Sequence, residues 1–372
     1  MLYLDNSATT QVLPDVKDKM LKYLLDEYGN PSSRIYSLAE RAKEAVERAR
    51  VEVAQLLSVK SNEVIFTSGA TESNNMIIKG VAKEYNKQGK HIITSKVEHS
   101  SVIEVCKYLE KEGYEVTYLD VDSDGKVSLD DLKKAIREDT ILVSVIWGNN
   151  ELGTLNPIQE ISEYCLNKNI LFHTDATQAV GKTKIDLKNY PGISFLSLSA
   201  HKMHGPKGIG ASVIKSDSNG DLIPITPLMH GGGQEFGLRS GTHAVHNIVG
   251  LGEAAKIARE NLQQNIIQLK RLEEKFKEIF ISKFGEKVQF NSNAINKIPG
   301  IINVRFKGIF NQILLKEISS VLAASTGSAC SATKPSHVLK AIGLSEKEIR
   351  ESVRFSLSPY IDLEQLDVLN QL

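Results

Sequence analysis

Between residues 42 and 57, apolar side chains fall at Ala42, Ala45, Val46, Ala49, Val53, Leu56 and Leu57. This three-and-four spacing predicts one buried helical face. The pattern then changes. Short β-rich runs at 64–66, 91–94, 116–119, 141–147, 170–173, 193–198 and 209–214 alternate with helical or loop-like stretches. Such alternation predicts an α/β protein with a mostly parallel sheet wrapped by helices. Helical spacing returns at Ile248, Leu251, Ala255, Leu262, Ile266, Leu269, Leu272, Phe276 and Ile279, and so long a run is expected to kink or to connect two domains. Further strands are expected at 301–306 and 353–357. The pattern divides the chain into a large domain at 15–255 and a smaller α/β domain made of 1–14 and 256–372.

A length of 372 residues suits two domains at roughly 150 residues each. Lys plus Arg and Asp plus Glu number 45 each, so the chain lacks the basic surplus of a nucleic-acid or anionic-membrane binder. With 41% hydrophobic and 24% charged residues, disordered and fibrous classes are excluded. No apolar run approaches the roughly 20 residues of a membrane-spanning helix. The opening string MLYLDNSATT has neither a basic start nor an apolar signal core, and a cytoplasmic location is expected. The 3 cysteines neither pair off nor cluster as a metal site would require.

Three segments carry candidate chemistry. The strand at 64–66 runs into Thr67-Ser68-Gly69-Ala70-Thr71-Glu72-Ser73, small residues that open a helix and suit either a phosphate dianion or an ordinary N-cap. Asp175, in Phe172-His173-Thr174-Asp175, ends a buried strand. It needs a cationic partner there, or else caps the next helix. Lys202 sits in a turn rich in histidine, serine and glycine, a setting that suits a Schiff-base lysine; Lys207, after Pro206, reads as exposed. An anion cradle, a facing acid and an amine are together what pyridoxal phosphate requires. Cys106 and Cys165 fall in helical apolar patterns and read as core. Cys330 lies in the small-residue loop Ser325-Thr326-Gly327-Ser328-Ala329-Cys330-Ser331, where an accessible thiolate could act as a nucleophile.

The strings YLDNSATT, GNPSS, FTSGATESNN, EHSSV, NNELG, HTDATQAVGK, SLSAHKMHGPKG, HGGGQEFGLRSGT and STGSACS occur in order. Through them the sequence resembles the cysteine desulfurases among the class V aminotransferase-like pyridoxal-phosphate enzymes of fold type I. The resemblance implies that Lys202 holds the cofactor aldehyde and moves the substrate α-proton. Asp175 would face the pyridine nitrogen, and His99 would stack on the ring and help move protons. Ala70, Thr71, Ser199 and His201 would hold the phosphate, with Gln178 and Asn150 near the ring oxygen. Thr242 would reach the phosphate of a second subunit, which implies a homodimer. Asn30 and Arg354 would clamp the carboxylate of L-cysteine. Cys330 would take the substrate sulfur as a persulfide, leaving L-alanine, and pass it to an acceptor protein. An aminotransferase or selenocysteine lyase of the same fold, or a cofactor-bearing scaffold, are the competing readings.

Phe236 and Ser358-Pro359 depart from the family pattern without removing a proposed catalytic group. Only Ser331-Ala332-Thr333-Lys334 separates Cys330 from Pro335, a short tether. The string ATKPSHVL at 332–339 resembles a motif of desulfurases that serve DNA phosphorothioation. On that reading the acceptor belongs to a DNA sulfur-modification system, and the enzyme itself need not touch DNA. A housekeeping donor for iron–sulfur clusters or tRNA thiolation is the alternative.

Overall fold

The computed structural model describes residues 1–33, 35–292, 294–327 and 335–371. The chain begins with β1 (Leu2–Tyr3), α1 (Pro14–Leu25) and α2 (Ser37–Leu57). Strands and helices then alternate through β2 (Val64–Thr67), α3 (Ala70–Glu84), β3 (His91–Ser95), α4 (Ser100–Lys111), β4 (Glu115–Leu119), α5 (Leu129–Ala135), β5 (Thr140–Ser144), α6 (Ile158–Asn167) and β6 (Leu171–Asp175). Next come β7 (Phe195–Ser199), β8 (Gly210–Ile214) and α7 (Val245–Phe284). The last part holds β9 (Val288–Phe290), β10 (Ile301–Phe306), α8 (Asn311–Ile318), β11 (Leu322–Ala323), α9 (His337–Ala341), α10 (Glu346–Arg350) and β12 (Ser352–Ser356).

Seven strands form one sheet in the order β2-β8-β7-β6-β5-β3-β4. β3 to β7 pair in parallel, while β8 is antiparallel to both of its neighbours. It follows that β2 points the same way as β7, and only β8 runs backwards. Helices cover both faces, so β3, β5 and β7 are buried at every position and read as continuous apolar runs. The alternating side chains divide accordingly. Phe66, Ile93, Val143 and Phe172 join α2, α6 and the first half of α7, whereas Ile65, Ile92, Leu142 and Phe195 join α3 and α4. The strand expected to reach residue 147 leaves the ladder after Ser144. Val145 and Trp147 still donate to the His173 and Asp175 carbonyls, so the chain stays extended as it enters the site. Cys106 and Cys165 are core residues, and burial pushes both thiols up to about 12.

Of the two outcomes expected for this run, a kink or a connection between two domains, the kink is absent: α7 is one helix of 40 residues. Its first half packs on α2, where Gly252 meets Ala49 so closely that a Cβ would lie 2.6 Å from the Ala49 Cα. Its second half carries Leu269, Leu272, Phe276 and Phe280 into a separate core with Leu4, Val304 and Phe355. That core lies on the antiparallel sheet β12-β10-β9. Beside it β1 pairs in parallel with β11, so the N-terminal segment joins the C-terminal part of the chain. Among the described residues, no helix is long and apolar enough to cross a membrane.

Phe276 is fully buried and stacks on Phe280 at 4.2 Å. Replacing it with Ala should lower unfolding stability by about 3–5 kcal/mol, because a cavity remains after the ring is lost. Denaturant titration measures this. A loss well under about 1 kcal/mol would show that α7 does not organise the second core.

Candidate active site

Six strands of common direction (β2 to β7) deliver their C-terminal ends to one edge of the sheet, where open α/β sheets place their ligands. A cavity of about 470 Å³ lies there, bordered by Ala70, Thr71, His99, Asn150, Asp175, Gln178, Ser199, His201, Lys202 and Arg354. At one end β2 turns through Ser68 and Gly69 into α3. Gly69 takes φ 151°, ψ 175° and gives α3 no side-chain cap, so the first-turn N–H groups are set for an anion. Gly210 must be glycine, because a Cβ there would lie 2.7 Å from the Gly69 Cα. Ser199 ends β7 beside this turn. His201 bonds Thr9 Oγ1 through Nδ1 at 3.2 Å. Burial, aided by Lys202, Lys207 and Lys182, pushes its pKa down to about 4, so it is neutral at pH 7.

Asp175 occupies the other end at 3% exposure. Its Oδ1 accepts from the Thr177 N–H at 3.0 Å and its Oδ2 from Asn74 Nδ2 at 2.8 Å. His99 caps α4, its Nδ1 accepting from the Ser101 N–H, and burial lowers its pKa. Lys202 extends from the turn after β7 and donates from Nζ to the Ser7 carbonyl and, at 2.8 Å, to that of Ala8. Gln178 Nε2 donates to the same Ser7 carbonyl at 2.8 Å, and Lys182 Nζ donates to Gln178 Oε1 at 2.9 Å. Burial, with Lys202 and Arg354 nearby, brings the Lys182 pKa down to about 7.

Arg354 rises from β12 at 1% exposure. Nη2 donates to Asp5 Oδ1 at 2.8 Å and to Ser325 Oγ at 2.9 Å, and Nη1 to the Gly327 and Asn150 carbonyls at 2.8 and 3.1 Å. A buried acid, Glu151, lies beside it, and a second acid, Glu98, is also fully buried. Glu151 accepts from Ser336 Oγ at 2.6 Å, and its pKa is raised by burial. Glu98 accepts from Ser95 Oγ and the Ile146 N–H, while its carbonyl accepts from His337 Nε2 at 2.9 Å.

A family model described as aminotransferase class-V matches residues 2–369. This chain belongs to that family. A cysteine desulfurase IscS of Shewanella loihica is 44% identical over 370 residues, covering 98% of this chain and 90% of the relative. A solved structure described as a NifS-like protein superposes with a TM-score of 0.92 at 37% identity, covering 100% of this chain and 97% of that one. Another, of SspA in complex with cysteine, superposes with a TM-score of 0.83 at 39% identity, covering 97% and 100%.

Class V aminotransferases depend on pyridoxal phosphate, and the described residues fit it. The uncapped end of α3 with Ser199 and neutral His201 is an anion site, Asp175 is an acceptor for a pyridinium, and Lys202 is an amine between them. Lys207 is exposed, as expected, but borders the cavity. Within the chain, the Asn74 amide and the Thr177 N–H donate to the Asp175 oxygens. Asn30 and Thr242 are exposed and do not border the cavity; Asn30 Oδ1 accepts from the Ser32 N–H. Cys330 lies outside the described residues. Sequence reasoning assigned no role to the Ser7 and Ala8 carbonyls, Asn74, Ser101, Lys182, Glu98, Glu151 or His337. Backbone acceptors carry no sequence signal, and the side chains stood inside quoted motifs without a partner to reveal them.

Burial raises the Glu98 pKa from an ordinary 4.5 to about 8, so folding favours its protonated form. That stabilisation is complete below pH 4.5 and disappears as pH rises towards 8. Glu98→Gln, neutral and isosteric, should therefore match the parent in melting temperature below pH 4.5 and exceed it increasingly between there and pH 8. Parallel pH dependences for the two proteins would refute the assignment.

Proposed function

We propose that the protein is a pyridoxal-phosphate-dependent cysteine desulfurase that turns L-cysteine into L-alanine and passes the sulfur on through Cys330. The observation that carries this reading is the convergence of Lys202, Asp175, His99 and Arg354 on one cavity, in a chain similar along its whole length to cysteine desulfurases. The bound cofactor would supply the electron sink for loss of the substrate α-proton. The chain's own groups do the rest. First-turn N–H groups of α3, Ser199 and His201 bind the phosphate. Asp175 would accept a hydrogen bond from the protonated pyridine nitrogen and so keep the ring positive. Lys202 Nζ, aimed by the Ser7 and Ala8 carbonyls, takes the α-proton. Arg354 binds the substrate carboxylate by exchanging the Asn150 and Gly327 carbonyls for it, since its planar fork suits two parallel hydrogen bonds. The Cys330 thiolate attacks the substrate sulfur, so the carbon–sulfur bond breaks as a sulfur–sulfur bond forms, and the carbon skeleton leaves protonated as alanine.

The proposal includes the domain division at 15–255 against 1–14 and 256–372, with Cys330 carried by the smaller part, and a homodimer. Support for the dimer comes from the loop bearing Thr242. Its base is fixed by a buried ion pair between Arg50 Nη1 and Glu235 at 2.7 Å and by His243 on the same carboxylate, while Phe236 stands 58% exposed. A rigid base under an exposed apolar tip suits contact with a second copy, whose phosphate Thr242 would reach. For the acceptor we favour a protein of a DNA phosphorothioation system, on the string at 332–339. An iron–sulfur scaffold is the alternative, and identifying co-purifying partners decides between them.

Cofactor-loaded protein given L-cysteine and a reductant should release alanine and sulfide in equal amounts. Cys330→Ser should lose at least about 100-fold in both yet keep the visible absorbance of the bound cofactor. Full turnover by that variant would favour amino transfer, and a lack of both products from the parent protein would refute the reading.

A further inference from the structure

Two side chains outside the cavity wall join two that form it. Asn74, on the second turn of α3, is fully buried, and Ser101 sits in the first turn of α4. Asn74 Nδ2 lies 2.8 Å from Asp175 Oδ2 and 2.8 Å from Ser101 Oγ, so both of its hydrogens are committed. Its Oδ1 is buried with no hydrogen-bond partner. Turning the amide round would place that oxygen against the Asp175 carboxylate, so the orphan is the consequence of keeping both donors where they are. Because Ser101 Oγ accepts from Asn74, its own hydrogen is free to point to His99 Nδ1, 2.8 Å away. The Ser101 backbone N–H reaches the same nitrogen at 3.2 Å. With two donors directed at it, Nδ1 has no room for a proton of its own.

We propose that Asn74 and Ser101 are positioning residues that lock His99 as the Nε2–H tautomer and tie its ring orientation to the Asp175 carboxylate. The proposal rests on the reading that His99 serves a ring bound above Asp175. It makes His99 a hydrogen-bond donor through Nε2 and opposes imidazolium formation at Nδ1. The charged groups facing His99 are divided: Asp175 favours the cation, whereas Lys202 and His337 oppose it together with burial. The direction of the Asn74–Ser101 chain therefore decides the tautomer.

The test is nitrogen-15 NMR of labelled histidine side chains across pH, on cofactor-loaded and cofactor-free protein, with His99 assigned by loss of its signals in His99→Gln. The parent should show a protonated Nε2 and an unprotonated Nδ1. In Ser101→Ala the lost hydroxyl donor should raise proton affinity about tenfold, which moves half-protonation up by about one pH unit. Asn74→Asp should move it further, because an oxygen there, held to Asp175 by a shared proton, accepts the serine hydrogen and leaves Oγ to accept from Nδ1–H. Ser101→Thr should restore the parent behaviour. With cysteine as substrate, kcat should fall in Ser101→Ala with KM within about twofold of the parent. A parent carrying its proton on Nδ1, or Ser101→Ala and Asn74→Asp with unchanged His99 titration, would overturn the proposal. If the parent fails to take up pyridoxal phosphate, the functional reading falls separately, and the cofactor-free spectra still decide the tautomer.

Discussion

A carboxylate held almost wholly out of water at the end of a buried strand sets the terms for everything around it. Asp175 ends β6 in the middle of the seven-stranded sheet, and an ionised group there is tolerable only if its oxygens are given donors. The fold supplies one donor from its own turn, the Thr177 N–H, and one from α3, the Asn74 amide. The inner edge remains for a ligand cation. In the β6–β7 register Asp175 lies opposite Ser197, so the turn that carries Lys202 opens beside the carboxylate. Strand pairing thus fixes the acid and the start of the turn that carries the amine.

The N-terminal segment couples the two halves of the molecule. Asp5 pairs with Arg354, Asn6 Nδ2 donates to the Ser356 carbonyl, and the Ser7 N–H donates to Ser356 Oγ at 2.7 Å. The next carbonyls, of Ser7 and Ala8, orient Lys202. A substrate carboxylate drawing on Arg354 therefore acts on the same eight-residue strap that aims the lysine. The continuous helix α7 supports this arrangement from outside, since one rod contributes side chains to both cores.

Much of this was legible in the sequence. The strands of the large sheet announced themselves by apolar runs, because a sheet covered on both faces has no polar alternation to blur them. Lys202 and Asp175 stood at strand ends in unusual company. What stayed hidden has physical causes. β1 and β11 are two residues each and β9 is three, too short for any period. The unbroken course of α7 depends on two separate cores that each stabilise half of it, and helical spacing alone cannot distinguish this from a kink. The links from Asn74 to Ser101 and from Lys182 to Gln178 join residues whose meaning lies in tertiary distance. Motif strings placed Asn30 in the site, and Thr242 in the site of a second subunit, by resemblance; within one chain both side chains are exposed to solvent.

The central claim is that Lys202, opposite Asp175, is the amine that carries the cofactor. Reducing the pyridoxal-phosphate-loaded protein with borohydride, digesting it and mapping the peptides by mass tests this directly. The account predicts the pyridoxyl adduct on the peptide containing Lys202, with Lys182 and Lys207 unmodified. An adduct on either of those lysines in place of Lys202, or none at all, would contradict it.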